Sequence, residues 1–162
     1  MTQTDRAARV DIALADPASA DAQYCLAAYF REIDHRFSGG FDPGKGGNVP
    51  DHDDFLPPRG SLLVAHLDGE AIGCGALRTL SSGVGEIKRM WISPNARGLG
   101  LGRRLLAELE AQAVQHAFHT VRLDTNATLD EALALYRSSG YHEIPRFNDN
   151  PYAQHWFEKS LR

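Results

Sequence analysis

The amino-acid sequence predicts an α/β chain, a mixed sheet with helices packed against it. Three observations carry that prediction. Val10, Ile12 and Leu14 alternate with polar neighbours, Asp68-Gly69 joins two apolar runs, and leucines recur at helical spacing after residue 100. A length of 162 residues with 43% hydrophobic content suffices for one packed core, and no repeat, linker or low-complexity tract divides the chain. Residues 1–162 are therefore expected to form a single domain.

The first strand is the period-two segment at Val10, Ile12 and Leu14, stopped by Asp16-Pro17. Over residues 19–37, Tyr24, Cys25, Ala28 and Ile33 recur at helical spacing with Leu26 and Phe30 beside them, and Asp21 favours the start. Residues 38–60 hold Gly-Gly at 39 and 46, Pro-Pro at 57 and several aspartates, too many breakers for a regular element. A long loop with at most one helical turn is expected there, and a loop of that length is a candidate lid or substrate wall. Apolar runs at 61–67 and 71–79 flank the hairpin signal Asp68-Gly69, and 84–92 follows Ser81-Ser82-Gly83 as the third strand of an antiparallel meander. Leu101, Leu105, Leu106, Leu109 and Ala113 mark one stripe of a helix from near Gly100 to around Ala117. Residues 120–124 read as a short buried strand and 130–139 as a helix stopped by Gly140; 141–144 and 155–161 read as closing strands around the loop 145–151.

Composition excludes several functions. Lys plus Arg total 17 against 21 for Asp plus Glu, a net charge of −4, so no sequence-wide positive field holds a polyanion and nucleic acid is not expected as a partner. Cys25 and Cys74 lie in apolar surroundings without CxxC or Cys/His spacing, which reads as buried reduced thiols. None of the seven histidines makes a spacing such as His-Glu-x-x-His, so no metal is expected. The polar first nine residues lack the apolar core of a signal peptide or membrane span, and the expectation is a cytoplasmic protein with no membrane partner.

The most informative segment is Ser93-Pro94-Asn95-Ala96-Arg97-Gly98-Leu99-Gly100-Leu101-Gly102-Arg103-Arg104, between a strand and an amphipathic helix. Gly98, Gly100 and Gly102 let the backbone turn tightly with N–H groups converging, the helix adds the positive end of its dipole, and Arg97, Arg103 and Arg104 add cations. Such a turn suits phosphate oxygens. It lacks the Lys-Ser/Thr end of a P-loop, and Arg103 stands where a dinucleotide fingerprint needs glycine. What remains, Arg-x-x-Gly-x-Gly at a strand-to-helix junction, resembles the GNAT superfamily of N-acetyltransferases. Leu135-Tyr136-Arg137-Ser138-Ser139-Gly140-Tyr141 resembles that family's second motif. The resemblance spans the chain from Val10 onward and implies a mostly antiparallel sheet of about seven strands flanked by helices. It further implies acetyl-CoA as cosubstrate, with Arg97, Gly98, Leu99, Gly100, Leu101, Gly102 and Arg103 around the pyrophosphate. One departure stands out: many members carry Asn where this chain has Leu129, and Asn126 is a candidate substitute for its contact with the coenzyme arm.

Acetyl transfer to an amine needs a neutral amine, a polarised thioester carbonyl and a protonated leaving thiolate. Glu86, eleven residues before Arg97, resembles in placement the catalytic glutamate of the family's histone-acetylating branch. Its other reading is a cross-strand partner of Lys88, Arg89 or Arg78. The family places a tyrosine at Tyr136 with its hydroxyl near the coenzyme sulfur, as general acid; a core aromatic with a polar tip is the plain alternative. A backbone N–H from Met90, Trp91 or Ile92, where strands of this family splay, is expected to polarise the carbonyl. The acceptor is expected between loops 38–60 and 145–151. Arg36, Arg59, Arg89 and Arg146 could bind a carboxylate there, Asp51, Asp53 and Asp54 could select a polyamine or basic peptide, and either cluster could be a solvated surface. The expectation is an N-acetyltransferase acting by direct transfer on a small amino-acid-like amine, with Arg36, Arg89 and Arg146 as substrate contacts. A silent acyl-CoA-binding module is the alternative, and a homodimer is compatible with the exposed sheet edges.

Overall fold

The computed structural model describes residues 2–45, 50 and 52–162. In chain order the elements are α1 (Gln3–Ala8), β1 (Val10–Leu14), α2 (Ala20–Arg36), a 3-10 turn (His52–Phe55), β2 (Gly60–Leu67), β3 (Glu70–Ser81), β4 (Val84–Ile92), a second 3-10 turn (Pro94–Ala96), α3 (Leu101–Gln115), β5 (Thr120–Thr125), α4 (Asp130–Ser138), β6 (His142–Glu143) and β7 (His155–Ser160). The strands form one seven-stranded sheet in the order β1-β2-β3-β4-β5-β7-β6. All neighbours are antiparallel except β4 and β5. The mixed, mostly antiparallel sheet matches the expected fold class.

Two elements depart from the sequence reading. Residues 3–8 are helical because Thr2 accepts from the Asp5 N–H while the Asp5 carboxylate accepts from the Thr2 N–H, a capping box that needs no apolar stripe. β6 keeps only two residues, since it pairs with β7 solely at His142 and Glu143. At the edge strand β1 the apolar alternation fades outward: Val10 is buried, whereas Leu14 is 56% exposed.

Alternation along β2 divides the core between two faces of the sheet. Leu63 and Ala65 pack with the α3 leucines, Leu133 and Tyr136, while Leu62 and Val64 pack with Ala22, Cys25 and Leu26 of α2. Each fully buried leucine of α3, such as Leu105 and Leu109, contributes about 1.5–3 kcal/mol of burial. Cys25 and Cys74 are both buried and free, in the second cluster.

Two irregularities of β4 open the sheet at its centre. Its pairing with β5 covers only Val84, Gly85 and Glu86, opposite Thr120, Val121 and Arg122; beyond Glu86 the two strands separate. On the other side, Cys74 opposes Trp91 but Ala76 opposes Lys88, so β4 carries an extra residue within 89–90. Arg89 sits in that bulge at φ 58°, left-handed for a non-glycine residue.

Candidate active site

The glycine turn lies where β4 ends. Gly98 (φ 83°) and Gly100 (φ 71°) adopt left-handed backbone, and Gly100 is the N-cap of α3 with no side-chain capping bond. No acidic residue occupies the first turn of α3, so its leading N–H groups and dipole are left for an anion. The side chains of Leu99 and Leu101 are buried, so only their main chain can serve the turn. Gly102 answers to packing: a Cβ there would sit 3.1 Å from Ile92 and 3.3 Å from Leu135. The Arg97 guanidinium donates to Glu32 at 2.7 Å, and Arg103 donates to the Ser138 hydroxyl at 3.0 Å, so an incoming phosphate would recruit them from those partners. Arg104, expected as a third cation for the anion, instead donates to the carbonyls of Ala7 and Val10 and ties α1 to α3.

A cavity of about 190 Å³ opens between the separated part of β4, α2, α4 and the loops 38–60 and 145–151. Glu86 and Tyr136 both line it. The Glu86 side chain is almost wholly buried, yet its neighbours stand back: Arg78 and Lys88 at 3.6 Å, and the Asn148 amide at 3.4 Å. A tight charge-assisted bond would be about 2.7–2.9 Å. Burial raises the Glu86 pKa above the usual carboxylate range, more than Lys88 and Arg78 lower it, and Asp124 adds to the rise. Both readings of Glu86 are thus physically present, a cross-strand partner of Arg78 and a carboxylate facing a cavity. Burial also raises the Tyr136 pKa, keeping the phenol protonated, and among the described residues its hydroxyl donates only to the Met90 thioether at 3.9 Å, a weak acceptor. Met90 lines the cavity, while Trp91 is buried edge-on against Tyr24.

The expected four-arginine wall reduces to Arg89. Arg36 is ion-paired with Glu131 and donates to the Thr128 carbonyl, away from the cavity lining. Arg146 donates to the Asn148 carbonyl, lies 3.7 Å from Asp149 and covers the Trp156 ring, also outside the lining. Arg59 pairs with Asp54 at 4.0 Å. Arg146 found its partners within its own loop, whereas Arg36 found its partners across the fold at the start of α4. Asp53 and Asp54 belong to the 3-10 turn outside the lining, and Asp51 lies outside the described residues. Asn126 reaches the cavity, but its amide donates to the Tyr152 carbonyl at 2.7 Å and its oxygen accepts from the Thr128 N–H and hydroxyl. It stabilises its own turn with its oxygen and one of its two N–H groups.

Several cavity residues escaped the sequence reading. Asp124 stands two residues beyond Arg122, the partner of Glu86, and hence on the same face of the sheet. Asn148 donates to the Asp124 carboxylate at 2.6 Å and to Glu86, while Asn150 donates to the other Asp124 oxygen at 3.2 Å. Strand alternation could have flagged Asp124. Nothing local could have flagged the two asparagines, which reach the site from a loop.

This architecture is that of known acyltransferases. Residues 27–141 match the acetyltransferase (GNAT) family. The chain is 33% identical to an IAA acetyltransferase of Azospirillum brasilense over 74% of its own length and 78% of the relative's. A proposed acyl-CoA N-acyltransferase of Klebsiella pneumoniae superposes with a TM-score of 0.73 at 32% identity, covering 96% of this chain and 99% of that one. A Salmonella typhimurium acetyltransferase homologue, yncA, solved with acetyl-CoA, has the same fold with a TM-score of 0.66 at 18% identity, over 94% of each chain. The chain belongs to the acetyltransferase (GNAT) family of acyltransferase enzymes.

Proposed function

We propose that this enzyme transfers the acetyl group of acetyl-CoA directly to the primary amine of a small amino-acid-like molecule, with both substrates bound together. The thioester supplies the acyl group. Its diphosphate fits the uncapped start of α3, where no acidic side chain opposes it. Glu86 takes the proton of the ammonium, directly or through one water, for which its loosely spaced neighbours leave room. The amine nitrogen then bonds to the acyl carbon as the carbon–sulfur bond breaks, Tyr136 gives its phenolic proton to the departing sulfur, and the second proton released by the acylated nitrogen passes through water to the phenolate, restoring it. A main-chain N–H among Met90, Trp91 and Ile92 polarises the carbonyl, in the stretch of β4 that β5 no longer pairs.

One observation carries this reading: a buried, loosely held carboxylate and a phenol that donates to a thioether share one cavity. The test is thiol release from acetyl-CoA with amino acids, polyamines, aminoglycosides and peptides as acceptors. Release that depends on the amine and falls in Tyr136→Phe supports it. Coenzyme binding without release for any acceptor would replace it with a silent acyl-CoA-binding module.

A further inference from the structure

The acceptor side of the cavity carries three chemically distinct features close together. The first is the Arg89 guanidinium. Arg78 and Lys88 share Glu86, and Lys45 lies over the Tyr152 ring, but among the described residues no carboxylate stands within 4.0 Å of Arg89. It is instead flanked by the rings of Phe30 and Phe55, each 5.1 Å away, and held there by the bulge at φ 58°. A left-handed backbone is strained for an arginine, and such strain recurs where a side chain must be aimed. Partial burial without a counter-ion lowers its pKa, and that deficit is relieved by an incoming anion.

The second feature is a wall of rings continuous with that guanidinium. Phe30 stacks on Phe41 at 5.7 Å, Phe41 meets Tyr152 at 4.7 Å and Phe37 at 5.9 Å, and Phe37 stacks on Tyr152 at 5.7 Å. These residues come from α2 and from the two loops that border the acceptor side, and all are only half-buried. The third feature is the Glu86 and Asp124 pair, bridged by the Asn148 amide.

Resting on the transfer reading above, we infer that the acceptor is an amino acid with an aromatic side chain. Its carboxylate lies on Arg89, its ring on the wall of Phe37, Phe41 and Tyr152, and its ammonium faces Glu86 and Asp124. Guanidinium and carboxylate make a two-bond fork, and aromatic rings prefer the edge and offset contacts that this wall offers. A polyamine would set a second cation near Arg89. An aliphatic amino acid would leave the rings wet, and an aromatic amine without a carboxylate would leave Arg89 unanswered. The volume, about 190 Å³, exceeds the roughly 150 Å³ of an engineered cavity that admits benzene, so one ring fits.

The experiment compares kcat/KM of the intact enzyme for phenylalanine, phenethylamine, alanine and spermidine, with thiol release as the readout. Phenylalanine is expected to exceed phenethylamine by at least about tenfold, since a site built to bond a polar group rejects analogues that lack it, and to exceed alanine by at least about tenfold for the ring burial that alanine forgoes. Arg89→Gln is expected to narrow the phenylalanine-to-phenethylamine ratio to about threefold or less, and Phe41→Ala to narrow the phenylalanine-to-alanine ratio similarly. The wild-type comparison stands alone if either variant fails to fold. Equal or better turnover of phenethylamine, alanine or spermidine by the wild type overturns the aromatic amino acid while leaving acetyl transfer in place. Coenzyme binding with no thiol release from any amine overturns both.

Discussion

The two halves of the site are built from different material. The turn proposed for the diphosphate is made of main chain: two left-handed glycines and an uncapped helix start. The cavity proposed for the acceptor is made of side chains from α2, β3, β4, β5, α4 and two loops, spread in sequence from Tyr29 to Ala153 and joined only by the fold. A site made of backbone leaves its pattern in consecutive letters. A site made of converging side chains leaves none, and it can be rebuilt for a new ligand without disturbing the first.

The sharpest way to break this comparison is Gly100→Asp. A carboxylate near the diphosphate, at about 4 Å and an effective dielectric near 20, opposes it by about 4 kcal/mol, so coenzyme affinity should fall on the order of 1,000-fold by calorimetric titration. Gly100→Ala separates the strain from the charge and should retain most of that affinity. Unchanged binding in the aspartate variant would mean the diphosphate lies elsewhere.

On the acceptor side, Tyr136→Phe should lower kcat by about 100-fold while coenzyme affinity changes less than about twofold, if the hydroxyl acts on the departing sulfur as proposed. A parallel loss of affinity would make Tyr136 a packing residue. Glu86→Gln should lower kcat/KM about tenfold near neutral pH and less at pH 9, where free amine is plentiful. A base works only when deprotonated, and burial has raised this pKa. The wild-type rate should therefore fall with acid through a pH above the ordinary carboxylate range, and the variant should lose that limb. Smallest of all, Arg36→Ala and Arg146→Ala should each change kcat/KM by less than about twofold, since their partners are surface carboxylates and backbone. A tenfold effect from either would restore the wider cationic wall.

Legibility followed the same divide. Strand alternation, the Asp68-Gly69 turn and the α3 leucines placed most of the sheet and the long helices, because those signals are local and repeat with the element's own period. Helix α1 leaves a sequence mark only in Thr2 and Asp5, because it buries no residue and so has no apolar stripe. The bulge at Arg89 was not, since an inserted residue has meaning only against its partner strand. Arginines interchangeable in sequence proved unlike once the fold assigned partners: Arg36 and Arg146 met carboxylates, Arg104 met carbonyls, and Arg89 met two rings.

The short N-terminal helix has a practical corollary. Arg6 donates to the Asn95 carbonyl, Arg104 clasps the carbonyls of Ala7 and Val10, and Gln3 lies where a Cβ on Gly98 would touch it at 3.2 Å. Trimming the chain back to Val10 therefore removes the braces of the glycine turn even though no letter of that turn has changed.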